Sequence, residues 1–424
     1  MNKHARQRRA AVIGSGVSGL TAAYLLRNRY QVTLYEADGR LGGHAHTHEV
    51  ATHDDRLLGL DTGFLVHNTR NYPSLIRLFG ELGVQTQPAE MSMSVRCQGC
   101  GLEYAGSRGL RGLVPAAGAL TRPGYLAMLA TVPSFYRAAR RLVDSGAPDS
   151  LTLGEFLAAG RYGPYFTGHF VVPLVAAVWS CSPASALSYP ARYLFEFLDN
   201  HGILSVGRTP TWRTVTGGSK TYVDKIAKEL TAVRPGTPVR ALRRSGEGVE
   251  IVTDDGQAAH FEVAVVAAHP DQALQLLAEP TKAEREVLGA FRYTRSVTVL
   301  HTDENVLPAR RSLRSSWNYL LTDCAATADQ VHVSYYLNRL QRLAEPVSYL
   351  VTLNKTGQVA PGRVLGTMTY SHPLYTPESV AAQRRLPELN SPMLAYAGAY
   401  HGWGFHEDGC RSGVAAAAAL GVDW

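Results

Sequence analysis

Apolar residues run unbroken through positions 10–13, where β-branched Val12 and Ile13 follow two alanines, and this pattern predicts a short buried strand. The turn Gly14-Ser15-Gly16-Val17-Ser18-Gly19 follows at once, and residues 20–26 read as a helix. A second strand is predicted over 31–35 and closes on Glu36. Further along, 222–230 reads as a helix and 239–242, 248–253 and 263–268 as strands. Val249, Ile251 and Thr253 alternate there as on a half-buried strand pair around a Gly256 turn. A last strand is predicted over 393–397, then a helix over 413–420, almost wholly alanine and capped by Ser412. Between these blocks, 120–143, 153–159 and 193–200 have helical patterns. Residues 170–191 carry no charge, which is long enough to span a bilayer. Pro173, Pro183, Pro190 and four serines interrupt them, so a buried or surface-docked helix–loop segment is expected instead.

Strand, glycine turn, helix, strand and acid come in the order a dinucleotide site requires. Gly14 permits a tight turn, Gly16 lets the backbone approach a pyrophosphate, and Gly19 lets the helix lie close on the sheet. The helix start offers unpaired N–H groups to the phosphates. Glu36 is placed to accept from ribose hydroxyls, and its charge disfavours a 2′-phosphate. The basic, apolar start also has the outline of a signal peptide, but an h-region has no need of glycines at fixed positions.

Composition narrows the class. The 424 residues are 45% hydrophobic and 18% charged, so a disordered chain or coiled coil is excluded. Five scattered cysteines make no disulfide framework and point to reduced thiols in a cytoplasmic protein. The net charge of +7 lies partly in Lys3, His4, Arg6, Arg8 and Arg9 and is otherwise diffuse. No nucleic-acid partner is expected, while attraction to an anionic ligand or peripheral lipid surface stays open.

Glu36-Ala37-Asp38-Gly39-Arg40-Leu41-Gly42-Gly43 resembles the extended FAD fingerprint of the flavin amine oxidase superfamily, which includes monoamine oxidases, phytoene desaturases and protoporphyrinogen oxidases. The resemblance implies FAD as cofactor, with Glu36 and Ala37 in the fingerprint, Arg40 reaching the phosphates and Gly42 and Gly43 passing near the flavin. It also implies an adenine contact from the backbone at Val239, after the Gly217-Gly218 block. At the other end, glycines threaded through aromatics (Gly398 to Gly409) allow close approach to a flat ligand, and the alanine helix would lie under it. The superfamily's acid after Ala-Gly is replaced by Ala399, while Glu407 and Asp408 lie out of register. Residues 63–95, 102–106, 335–343 and 398–413 resemble a narrower group of predicted NAD/FAD-binding bacterial proteins, often encoded beside cyclopropane-fatty-acid synthases.

The implied architecture is α/β: a Rossmann-type FAD-binding domain (1–80, 205–269, 386–424) with an interleaved substrate domain (81–204, 270–385), as in amine oxidases. Candidate catalytic residues are Tyr400 and Trp403, with Phe405 and Tyr370 or Tyr375, as an aromatic wall. These rings serve equally well as core. His401 and His406 are the proton-transfer candidates. The lysine that many amine oxidases place by the flavin has two candidates, Lys220 and Lys355. His44, His46 and His48 alternate along an expected strand as a structural or flavin-facing row. His44 follows the glycine pair and could touch the flavin or be linked to it. Cys97-Gln-Gly-Cys100 has zinc-knuckle spacing, but no second pair follows and structural zinc takes four ligands, so no metal is expected and a hairpin turn is the reading.

The expected activity is hydride transfer to flavin N5 from an apolar, fatty-acyl or other lipid-like small molecule, by dehydrogenation or double-bond rearrangement. An amine oxidase releasing hydrogen peroxide, or a flavin-binding accessory of a lipid-modifying enzyme at the membrane, are the alternatives.

Overall fold

A computed structural model describes residues 8–106, 112–113, 121–146, 148–204, 210–325, 329–354 and 356–424. Lys3, His4, Arg6 and Lys355 therefore lie outside the described residues. The chain forms two units, Met1–Thr86 with Val215–Arg292 and Ala381–Trp424, and Gln87–Thr214 with Tyr293–Val380.

The first unit is built on a five-stranded parallel sheet. Its central strand is β1 (Arg9–Ile13), flanked by β2 (Gln31–Tyr35) and by the strand Val263–Val266, with Ala232–Arg234 and Leu394–Tyr396 outermost. Ile13 is in register with both Tyr35 and Val266, so both neighbours of β1 end level with the glycine turn. Ala10, Ala11 and Val12 are fully buried, which is why the run is uniformly apolar rather than alternating. Helix α1 (Val17–Leu26) is buried along every residue. It starts three residues before the helix expected from sequence, because the helical ladder already opens at Gly16, whose carbonyl accepts from the Leu20 N–H at 2.9 Å. Strands β3 (Thr47–Ala51) and β4 (Leu57–Asp61) form an antiparallel hairpin, and helix α2 (Pro73–Glu81) follows. The strand Val239–Ser245 pairs with Gly248–Thr253, as the alternating pattern predicts.

The first unit extends beyond residue 269, where the sequence reading ended its middle block. Helices Pro270–Leu276 and Lys282–Leu288 stay with it. The reason is buried Glu284: exposed Arg244 donates to it at 2.6 Å, and the Tyr396 hydroxyl donates to the same carboxylate at 2.5 Å.

The second unit has a seven-stranded sheet in the order Val364–Leu374, Arg292–His301, Leu350–Leu353, Val333–Tyr336, Trp317–Leu321, Met93–Cys97, Glu103–Tyr104. Its longest described helix, Pro123–Asp144, carries Phe135 into an aromatic cluster with Phe156, Tyr162, Phe166, Phe170 and Phe195. The uncharged stretch becomes helices Val172–Trp179 and Pro183–Leu187, with Val175, Ala176, Cys181 and Tyr189 fully buried. Among the described residues, no helix is long and apolar enough to cross a membrane.

Candidate functional site

The three glycines of the first turn do different work. Gly14 has φ +100°, and a Cβ there would sit 2.6 Å from the Ala267 carbonyl oxygen. A Cβ on Gly19 would come within 1.9 Å of the Gly14 carbonyl oxygen. Both are demanded by packing. A Cβ on Gly16 would meet nothing within 4 Å, so this residue faces open space at the mouth of α1. That helix has no side-chain cap and no acid in its first turn, leaving its N–H groups and dipole for an anion.

Ser15, which the sequence reading passed over, ties the surroundings together. Its N–H and hydroxyl donate to Glu36 Oε2 at 2.8 and 2.5 Å, and its Oγ accepts from the Gly42 N–H at 3.0 Å. The Asp38 N–H donates to Glu36 Oε1 at 3.0 Å. Glu36 thus holds the glycine turn in place, and each carboxylate oxygen keeps lone-pair capacity for a ribose hydroxyl. Gly42 and Gly43 have φ +107° and +57°, and a Cβ on Gly43 would lie 3.2 Å from Gly16 Cα. The two glycine motifs, separated in sequence, meet in space. Ala37 is exposed beside them. The backbone leading to Val239 joins the same edge: the Thr237 N–H donates to the Glu36 carbonyl and the Gly236 N–H to the Asp38 carbonyl, both at 2.8 Å.

The histidine row differs from expectation. The strand begins only at Thr47, so His44 precedes it, its carbonyl engaged by the Phe64 N–H at 2.7 Å. His46 and His48 do share a face, ring centroids 4.2 Å apart. Burial, and then the nearby Arg40 guanidinium, lower His46 to about 3 and depress His48 in the same direction. Both imidazoles are therefore neutral, with the Arg40 charge near enough to disfavour their protonation. The adjoining hairpin ends on buried Asp61, which accepts from Thr47 Oγ1 at 2.6 Å and from the Ser219 N–H and hydroxyl at 2.9 and 2.7 Å. Burial raises Asp61 to about 6 against these bonds. Neither Asp61 nor Ser219 was singled out from sequence, although the Gly217-Gly218 turn beside Ser219 marks the place.

The C-terminal segment requires the largest corrections. The last helix spans His406–Ala419, so it begins seven residues before the predicted start. Ser412 lies inside it and does not cap it: its hydroxyl donates to the Gly409 carbonyl at 2.7 Å and accepts from the Gly398 N–H at 2.9 Å. The cap comes from Asp408, whose Oδ2 accepts from the Phe405 N–H at 3.1 Å. Burial raises Asp408 to about 6, with the Phe405 N–H and Arg411 working against it. Glu407 is spent elsewhere. Its two oxygens accept from the Ser74 and Leu75 N–H groups at 3.0 and 2.9 Å, capping α2. Small residues in this helix are also explained by α1, since a Cβ on Gly409 would strike Val17 and one on Gly413 would strike the Ser18 carbonyl at 2.4 Å.

Tyr400 is 2% exposed, packed on Gly398 and edge-on to Phe291 at 5.3 Å. Its hydroxyl and His401 Nε2 find no hydrogen-bond partner among the described residues. Burial lowers His401 to about 4 and His406 to about 3. His406 stacks on Phe64 at 3.7 Å, with Nε2 3.3 Å from the Tyr222 hydroxyl, so it is a caged neutral ring. Trp403 is half-buried in the same loop, between Gly402 and left-handed Gly404. Tyr375 packs on Tyr193 at 5.1 Å within the second unit's core. Lys220 is paired with Asp224 one helical turn away.

These residues fit FAD: an acid-free helix mouth with an open glycine, an acid at the end of β2, a second glycine pair against the first, and buried polar atoms on Tyr400 and His401 without partners. The chain matches the family described as flavin containing amine oxidoreductase over residues 17–316. It is 27% identical over 301 residues to coproporphyrinogen III oxidase of Mycobacterium leprae (strain TN), a match covering 66% of this chain and 63% of that protein's length. In fold it is similar to putrescine oxidase bound to putrescine, with TM-score 0.70, 15% identity and coverage of 98% and 99% of the two chains. The CLA-producing fatty acid isomerase from P. acnes gives TM-score 0.67 at 14% identity, covering 97% and 98%. The chain spans less than two thirds of the length of the curated relatives it matches, and it belongs to the flavin-containing amine oxidoreductase family.

Proposed function

We propose that the substrate is an apolar, lipid-like small molecule of the fatty-acyl kind, dehydrogenated or rearranged at a double bond. The observation that carries this is the chemistry of the second unit. Among its described residues, the one buried carboxylate is Asp303, and it accepts from the Asn305 and Ala360 N–H groups, both at 3.0 Å. Rings around Phe135 dominate that interior. An ammonium substrate would need an uncommitted buried acid or an aromatic cage to replace its water.

When bound, FAD supplies the two-electron acceptor. Gly16 and the mouth of α1, shaped by the packing of Gly14 and Gly19, would hold its pyrophosphate, Glu36 with the neighbouring Ala37 would hold the ribose, Arg40 would reach a phosphate, and the Val239 backbone would meet the adenine. Gly42, Gly43, His44 and Gly398 would be the residues nearest the flavin. Tyr400 and Trp403 orient the substrate and exclude water. His401 Nε2, kept neutral by burial, accepts the substrate proton, while His406 holds the loop through Phe64 and Tyr222. The resemblance to proteins encoded beside cyclopropane-fatty-acid synthases supports a lipid-modifying partner and peripheral contact with a lipid surface. A second reading, oxidation of a porphyrinogen, is favoured by the 27% identity to coproporphyrinogen III oxidase.

The test is anaerobic mixing of the yellow protein with unsaturated fatty acyl lipids, putrescine and coproporphyrinogen III. Flavin bleaching, or appearance of a conjugated diene without bleaching, is expected with a lipid alone. Bleaching by putrescine with peroxide on re-aeration, or by the porphyrinogen, replaces this reading. His401→Ala should lower turnover at least tenfold at unchanged FAD content.

A further inference from the structure

The Cys97–Cys100 pair acquires the partners that the sequence did not show. Cys97, Cys100, His169 and Cys324 each offer a ligand atom, and all four atoms lie within 4.8 Å of one another. Cys324 comes from 227 positions beyond Cys97, and His169 from 69 beyond Cys100. All four belong to the second unit, whereas the glycine motifs and Glu36 belong to the first.

We propose that these four side chains form a closed structural zinc site. Tetrahedral zinc, with Zn–S of about 2.3 Å and Zn–N of about 2.0–2.1 Å, sets ligand separations of about 3.8 Å for S···S and about 3.6 Å for S···N. Cys97 Sγ lies 3.8 Å from Cys324 Sγ, and Cys100 Sγ lies 3.6 Å from His169 Nε2. A disulfide would need its sulfurs at about 2.05 Å.

The surroundings are built for a ligand set. His169 is fully buried, and its Nδ1 lies 3.1 Å from the Tyr165 carbonyl oxygen. A proton on Nδ1 donated there leaves the Nε2 lone pair toward the sulfurs, the usual outer-shell arrangement of a zinc histidine. Stacking on the Tyr165 ring at 4.0 Å fixes the imidazole plane. The π-helical turn Thr167–Val171 carries His169 inward. Gly99 is needed between the two cysteines, because a Cβ there would lie 3.0 Å from the Cys324 N and 3.2 Å from its Sγ. Arg122 Nη1 donates to the Cys100 carbonyl at 2.7 Å, placing a cation beside three prospective thiolates. Binding one Zn²⁺ releases three thiol protons to solvent and leaves a net charge of −1, which that guanidinium offsets. With four protein ligands there is no open position, so the role is to staple three segments: the Met93–Cys97 hairpin, the His169 turn and the loop after Trp317–Leu321.

The experiment uses the full-length flavoprotein freed of any metal-binding tag, with metal measured by mass spectrometry. About one zinc per chain is expected, released together with reactivity of three thiols when mercurial reagent is added. Cys324→Ser should lose the metal and lower Tm, whereas Cys181→Ala, outside the cluster, should keep it. Should Cys324→Ser fail to fold, wild-type protein refolded or expressed with Co²⁺ gives a second readout: the intense visible bands of tetrahedral cobalt–thiolate are expected. Wild-type protein with reduced thiols, no metal and no cobalt bands overturns the proposal, as does a Cys97–Cys324 or Cys97–Cys100 disulfide in the freshly isolated protein.

Discussion

The first unit contains two helix starts of opposite character. Helix α1 opens on Gly16 with no acid in its first turn and no side chain closing its N–H groups. The C-terminal helix opens on Phe405 with Glu407 and Asp408 in its first turn, and Asp408 satisfies the Phe405 N–H itself. One end is left for an external anion, while the other is already neutralised from within. The same glycine-rich appearance in sequence therefore hides two jobs. At the first start Gly16 faces open space; at the second, Gly409 and Gly413 admit another helix.

That contrast can be broken by substitution. Gly19→Ala should be the most damaging, costing about 3 kcal/mol by urea denaturation, because its methyl would strike the Gly14 backbone and the Ala267 Cβ. Gly16→Trp should leave the urea midpoint nearly unchanged yet weaken FAD at least about 100-fold by flavin titration, equivalent to about 2.7 kcal/mol. Loss of folding in that variant would show that Gly16 is a packing residue like Gly19. At the second start, Asp408→Ala should cost about 0.5–2 kcal/mol with the FAD affinity of correctly folded protein retained. Asp408→Asn should cost less than the alanine, since the amide oxygen still accepts from Phe405 and the buried charge is gone. A large loss of flavin affinity in Asp408→Asn would mean that the second start also serves the cofactor.

A smaller effect follows from His406. Its folded pKa is about 3 against an ordinary 6.5, so the unfolded chain binds the extra proton between these values. The stability from keeping this ring neutral is complete above about pH 6.5 and is lost as pH falls toward 3. His406→Gln should flatten that part of the urea-midpoint profile, and an unchanged slope would show that the ring titrates normally.

The legible parts of the molecule were those whose partners are near in sequence. The spacing of Gly14, Gly16 and Gly19, the acid at the end of β2 and the alternating 248–253 strand follow from local periodicity and turn chemistry. Glu407 illustrates what was hidden. Its carboxylate caps a helix 333 positions away, a pairing no local pattern carries, and an acid near a loop expected at a flavin looked like a cofactor contact. The start of the last helix was missed because Gly409 and the glycines before it read as loop. Only the close face of α1 makes glycine the residue that fits inside that helix. His169 and Cys324 escaped notice for the same reason, since neither has a second ligand within reach along the chain.

The order of the parallel sheet also governs the timing of biosynthesis. The fingerprint turn is made within the first 43 residues, yet the strand that completes one side of β1 arrives only with Val263–Val266, and the helix seated on α1 only with His406–Ala419. A ribosome that has made the whole cofactor motif still holds a chain unable to close its own core. Through most of translation α1 is therefore an apolar helix without the strand and the helix it packs on, and a closed cofactor cradle is expected only once residues near 419 have left the exit tunnel.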